Sequence, residues 1–294
     1  MDTEDVALQR FEAAKKGGAK WVVGTKEGQP GLSEIDKKGN WVGTEIDYIK
    51  IILDEMGLKE GQYRFKAVPS DKRENALADG GAKRDGVDIF IGTYSISESR
   101  EKGSKKKPPV IFAGPYLGTP QKLLMQKASA TKVLIKGHHR SVRSYTDLPT
   151  LPPSKGDKDD TRARLCVIKG STGSKYAHEM ADKGEGPPRE KITEKDDYQS
   201  CANELTDLQD ALLSDATILR GIDERDNENG DKYVIAEREV GGLEEYGIGL
   251  NKNSRSLKGR VCDAMEKTSK KREAIYKKFE KDRVDFNIKM KKCT

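Results

Sequence analysis

Apolar positions fall in short runs between charged stretches, and their spacing switches between helical and strand periods. Ala7, Leu8 and Phe11 predict a short helix over residues 3–16. Trp21-Val22-Val23-Gly24 is a continuous apolar run and predicts a buried strand. A polar turn containing Gln29-Pro30-Gly31 and Lys38-Gly39-Asn40 follows. From Glu45, the residues Ile49, Ile52, Leu53 and Met56 mark one helix face, with Gly57 as the stop. Tyr63–Ala67 alternates as a strand does, Ser70 is placed to cap a helix over 71–78, and Val87–Ile91 predicts another buried strand. The order β-α-β-α-β argues for a mostly parallel sheet flanked by helices.

The pattern changes after Tyr116. Leu123-Leu124-Met125 predicts a strand, whereas residues 127–162 are polar and rich in Lys, Asp and Pro, and read as a linker-like excursion around a weak element. The alternation then resumes: strand Arg164–Ile168, helix Thr172–Lys183, helix Tyr198–Leu205, strand Ala211–Leu213 and helix Ala216–Arg225. Tyr246–Leu250 is the last predicted strand. The tail from Ser256 reads as helical through Leu257, Val261, Met265, Ile275, Tyr276 and Phe279. No internal repeat is evident.

Composition narrows the function classes. At 294 residues the chain suits about two domains of ~150 residues each. It is 35% charged and 34% hydrophobic, yet apolar clusters recur throughout, so a folded protein with a highly charged surface is expected. No run approaches the ~18–20 apolar residues of a membrane helix, so no integral membrane protein is expected. The charged start does not read as a signal peptide, which leaves open a secreted protein whose signal has been removed. The net charge of +6 is a small excess within a mixed population. The basic runs Lys105-Lys106-Lys107 and Lys289–Lys292 do not interleave with aromatics, so no nucleic-acid partner is expected.

Four cysteines stand at 166, 201, 262 and 293, with no C-x-x-C and no histidine spacing that suits a metal. Their even number and pairwise clustering predict the disulfides Cys166–Cys201 and Cys262–Cys293, against free buried thiols as the alternative. Such bridges imply an oxidising compartment.

Nucleophilic catalysis has little support, because there is no G-x-S-x-G and the glycine-rich turn Gly170–Ser174 lacks the lysine of a phosphate loop. That turn joins a strand to a helix, which offers backbone N–H groups and the positive helix end to an anion. Thr93, Ser95 and Arg100 lie after the Val87–Ile91 strand, where open α/β sheets bind ligands, and an arginine there can bind a carboxylate bidentately. Asp215 ends a short apolar strand, either as an acid at a site or as an N-cap for the next helix.

These residues carry a resemblance. Gly92–Arg100 followed by Val110–Tyr116 resembles the A-T-Y-S-I-T-x-x-R … F-A-G-P-Y signature of extracytoplasmic solute-binding proteins of family 3, which serve polar amino-acid ABC importers. Ile168–Ser174 resembles their x-x-G-S-T turn, Asp210–Asp215 their D-A-V-T-T-D, Tyr246–Leu250 their Y-G-I-G-L, and Lys16–Thr25 their opening K-x-G-K-x-V-V-G. Gly43-Thr44-Glu45-Ile46-Asp47 stands where the family has G-F-D-x-D, without the aromatic. The matches run in order over about residues 5–285. They resemble actinobacterial glutamate-binding proteins, which have cysteines at positions like 166 and 201.

The resemblance implies an α/β, two-lobed, periplasmic-binding-protein-like (type II) fold, each lobe a sheet flanked by helices, with two hinge strands. Lobe one would be 1–116 plus 246–294, and lobe two 117–245. The implied protein is a monomeric, extracytoplasmic amino-acid binder that closes on its ligand and delivers it to a membrane permease. It is not an enzyme and needs no cofactor. Arg100 would clamp the ligand α-carboxylate with Ser95 and the Thr172 N–H, and Asp215 with the Thr93 carbonyl would take the α-ammonium. A ligand-sensing domain of a receptor or kinase is the alternative. A dehydratase on the same scaffold would need a cleft acid, for which Glu27 and Glu45 are candidates.

Lys26 and Arg73 sit where acidic-ligand relatives carry side-chain carboxylate contacts, Arg73 within a segment matching S-x-N-R. Arg100, Arg73 and Lys26 are three positive charges against Asp215. Glutamate or aspartate would lower that surplus from two to one, which gives the expected order glutamate, aspartate, glutamine, with a neutral amide as the alternative ligand.

Overall fold

The computed structural model describes residues 5–127, 133–135, 138–140, 142–150, 163–205, 208–226, 232–280 and 293. The elements run α1 (Val6–Lys15), β1 (Trp21–Thr25), β2 (Glu34–Ile35), β3 (Trp41–Val42), α2 (Thr44–Glu55), β4 (Tyr63–Ala67), α3 (Arg73–Asp79), β5 (Ile89–Phe90), α4 (Glu98–Lys102) and β6 (Val110–Gln126). They continue with β7 (Val133–Ile135), β8 (His138–Arg140), β9 (Leu165–Ile168), α5 (Thr172–Asp182), β10 (Ile192–Lys195), α6 (Tyr198–Glu204), β11 (Ala211–Asp215), α7 (Ala216–Asp226), β12 (Tyr233–Ile235), β13 (Val240–Asn251), α8 (Arg255–Lys267) and α9 (Ser269–Glu280). The chain divides into two units. Unit 1 holds Met1–Glu27, Gly31–Gly118 and Glu244–Thr294; unit 2 holds Gly28–Pro30 and Thr119–Leu243. β6 and β13 each run from one unit into the other.

In unit 1 the strand order is β13-β5-β1-β4. β1 pairs in parallel with β4, from Trp21 beside Tyr63 to Thr25 beside Ala67, and in parallel with β5. β13 joins antiparallel, with Gly249 beside Phe90. The glycine is required there, because a Cβ would stand 2.7 Å from the Tyr94 ring. Val22, Val68, Leu77, Val87, Phe90, Tyr94 and Phe112 form a buried cluster against this sheet. The buried Asp88 carboxylate accepts from Arg10, from the Val22 N–H and from the Gly81 N–H, and so ties α1 to the sheet without an unsatisfied charge. Cys262 and Cys293 form a disulfide with Cα atoms 5.4 Å apart.

In unit 2 the order is β10-β9-β11-β6, with β12 also pairing β6. β9 is parallel to β10 and β11, and β6 is antiparallel to β11 and β12. Leu123, Met125, Leu165, Val167, Ala211 and Leu213 belong to its buried cluster, with Ala177 of α5. Cys166 and Cys201 form a disulfide, Cα atoms 5.8 Å apart, which ties β9 to α6.

Several local expectations are corrected. Ser70 does not cap α3, which begins after Lys72 with no side-chain cap; the Ser70 hydroxyl instead accepts from Lys26. The regular strand within Val87–Ile91 is only Ile89–Phe90, although the Asp88 and Ile91 N–H groups still donate to Val22 and Gly24. The polar turn after β1 contains the β2–β3 hairpin. The excursion over 127–162 holds the β7–β8 pair as its weak element, with 128–132, 136–137, 141 and 151–162 outside the described residues. The tail is helical as expected, in two helices that meet at Thr268, whose hydroxyl donates to the Ala264 carbonyl at 2.7 Å.

Candidate functional site

In unit 1 the loop after β5 gathers polar groups at the carboxyl end of the parallel strands, the edge at which α/β sheets bind ligands. Its approach to the chain just after β1 depends on Gly92, where a Cβ would meet the Lys26 backbone nitrogen at 2.8 Å. Thr93 has φ 43°, an uncommon left-handed conformation for a β-branched residue. It is held by Glu45, whose Oε1 accepts from the Thr93 N–H at 2.8 Å and from the Tyr116 hydroxyl. Glu45 is fully buried. Burial lifts its pKa to about 7 against the opposing effects of Tyr116, the Thr93 N–H and Arg73.

The cations surround the same loop. Lys26, 3% exposed, follows β1 and donates to the Ser70 hydroxyl at 2.8 Å. Arg73, 2% exposed, opens α3, donates from Nε to the Ser70 carbonyl at 2.9 Å, and places its guanidinium carbon 4.3 Å from the Tyr94 ring centroid. Arg100 of α4 lies 4.8 Å from the same centroid and donates to the Ser95 carbonyl at 2.5 Å. Burial first, and then the neighbouring Arg73 charge, bring the Arg100 pKa down to about 10, which still leaves a cation at neutral pH. Ser95 is buried, and its backbone bridges to Tyr246 of β13. Lys26, Arg73, Thr93, Ser95 and Arg100 therefore converge within unit 1.

Sequence reasoning missed Glu74. Its Oε1 accepts from the Tyr94 hydroxyl at 3.0 Å and stands 3.6 Å from Arg100 Nε, and its Oε2 stands 3.8 Å from Lys107 Nζ. Glu27 is exposed, and Glu45 has its Oε1 engaged by Thr93 and Tyr116.

In unit 2, Ser171 caps α5 by accepting from the Ser174 N–H at 3.0 Å, which puts Thr172 at the first helical position. The Thr172 hydroxyl accepts from Gln121 Nε2 at 2.9 Å. Gln121 stands across the β6–β11 ladder from Asp215, and both are buried. Thr172 and Asp215 are thus joined through Gln121, a residue the sequence reading did not single out. Only the long strand it lies in could have marked it.

The residues 21–282 match the family model described as bacterial extracellular solute-binding proteins, family 3. The chain belongs to that family. This solute-binding protein is similar to the glutamate-binding protein GluB of Corynebacterium glutamicum, at 29% identity over 254 residues, which is 83% of this chain and 72% of that one. It is similar to GluB of Corynebacterium efficiens at 28% over 256 residues, 84% and 73% of the two chains. Among solved structures, an ancestral arginine-binding protein bound to arginine superposes with a TM-score of 0.69 at 24% identity, covering 88% of this chain and 97% of that one. An ABC uptake transporter substrate-binding protein from Streptococcus pneumoniae with bound histidine gives 0.72 at 17%, covering 96% and 98%. At these identities the structures establish the fold, an α/β periplasmic-binding-protein-like architecture. Among the described residues no helix is long and apolar enough to cross a membrane.

Proposed function

We propose that this protein binds an acidic amino acid outside the cytoplasm, glutamate before aspartate and glutamine, and delivers it to the permease of an ABC importer. Arg100 takes the α-carboxylate with Ser95 and the Thr172 N–H. Asp215 and the Thr93 carbonyl take the α-ammonium. Arg73 and Lys26 take the side-chain carboxylate, and the two units close on the ligand. The observation that carries the reading is the burial of Arg73 and Lys26 beside Arg100 in unit 1. Water screens buried cations poorly, so their field favours a ligand of negative charge, and a dicarboxylate offers two carboxylates to them. The name of the GluB relatives supports the same ligand. The reading is of a binder, in which Glu45 serves the loop after β5 by accepting from Thr93 and Tyr116.

Native mass spectrometry of the purified protein tests this directly. A retained mass that matches glutamate or aspartate supports the proposal. A retained basic amino acid refutes it.

A further inference from the structure

Charged side chains of both signs meet around one ring in unit 1. The Arg73 and Arg100 guanidinium carbons lie 4.3 and 4.8 Å from the Tyr94 centroid, close enough for the two like charges to repel. The carboxylate of Glu74 sits with them, its side chain 3% exposed. Oε1 takes the Tyr94 hydroxyl and faces Arg100. Oε2 lies near Lys107 and makes no hydrogen bond among the described residues. Water screens a charge this enclosed poorly, so it acts beyond its immediate neighbours.

We infer that Glu74 is a positioning and specificity residue: it anchors Arg100 and sets the net charge that the arginine pair presents to a ligand. The inference rests on the reading of this cluster as the ligand's carboxylate site. Arg73, Arg100, Lys26 and Lys107 are cations of this part of unit 1, and the Glu74 carboxylate lowers by one the positive charge they present. That positive charge favours an acidic amino acid over a neutral one, and a neutral one over a basic one. Glu74 moderates the preference. It does so from within the protein, without competing for the ligand's ammonium.

The test is calorimetry at pH 6, below the Glu45 titration, with L-glutamate, L-glutamine and L-arginine as probes. Wild type is compared with Glu74→Gln and Lys107→Met. The amide keeps an acceptor for Tyr94 and removes only the charge. Glutamate-over-glutamine preference should rise about tenfold in Glu74→Gln, the factor for one unit charge about 12 Å away at an effective dielectric of ~20. Arginine binding should weaken. Lys107, whose side chain is 42% exposed, can be replaced with little risk to folding. Its loss should shift the preference the other way, by about threefold, because its charge is more screened.

A merely structural Glu74 would weaken all three probes by one common factor, and that result overturns the inference. If Glu74→Gln does not fold, an unchanged preference in Lys107→Met overturns it instead. If wild type prefers arginine or glutamine, the acidic-ligand reading fails, while the opposed shifts of the two variants still decide the role of Glu74. Binding of none of the three overturns both.

Discussion

The Glu45 carboxylate holds the backbone N–H of Thr93 at 2.8 Å. One oxygen of a fully buried acid therefore fixes the left-handed turn at which the loop after β5 leaves the sheet. Burial raises the acid's pKa from 4.5 to about 7, so the folded protein binds this proton more tightly than the unfolded chain does. The contribution is then present below the unfolded value and lost as pH rises from about 4.5 to about 7. The neighbouring Tyr116 and Tyr276 keep their protons across that window, since burial raises both. The full effect is on the order of 3 kcal/mol. Glu45→Gln removes the titration. Urea unfolding of both proteins from pH 4 to pH 8 should show the variant gaining on wild type as pH rises. A difference that stays constant with pH contradicts the raised pKa.

Arg100→Ala should remove amino-acid binding and leave a folded protein. In the proposed site a desolvated carboxylate loses its guanidinium partner, a loss of typically ~2–5 kcal/mol, or at least about thirtyfold in affinity. Folding should survive, because Glu74 keeps the Tyr94 hydroxyl and the neighbouring Lys107. Calorimetry with thermal unfolding on the same sample checks both parts. Glutamate affinity within threefold of wild type would remove Arg100 from the site.

Asp215→Asn separates the ammonium contact from a purely structural role. Asp215 is buried at the end of β11, opposite Gln121. If it pairs the ligand ammonium, the amide variant should lose about tenfold or more against glutamate. It should lose little against glutarate, the same diacid without the amino group. Equal losses for both ligands would make Asp215 a helix-capping or strand-end residue only.

Much of the fold was legible because local period and turn residues agreed with it. The apolar run at Trp21, the helix face of Ile49, Ile52 and Leu53, and the stop at Gly57 all act within one element. Features that depend on tertiary contact were not legible. Ser70 looks like a cap, but Lys26, just after β1, donates to its hydroxyl. The hairpin joining Glu34–Ile35 to Trp41–Val42 has too few residues to show an alternation. Glu74 stands in Arg73-Glu74-Asn75, which reads as a solvated helix start in a chain that is 35% charged. Its burial comes from Tyr94 and Arg100, twenty and more residues away. Gln121 is hidden in the same way, as one polar residue in a strand whose role appears only when the ladder sets it beside Asp215 and Thr172.

The central claim is that buried cations of unit 1 select an acidic side chain. Titration of glutamate and glutamine into wild type and Arg73→Met tests it most directly. Wild type should bind glutamate more tightly than glutamine, and Arg73→Met should collapse that preference by about tenfold or more, since a buried charge pair is lost with one ligand and not the other. A wild type that prefers glutamine, or a preference unchanged in Arg73→Met, would contradict the account.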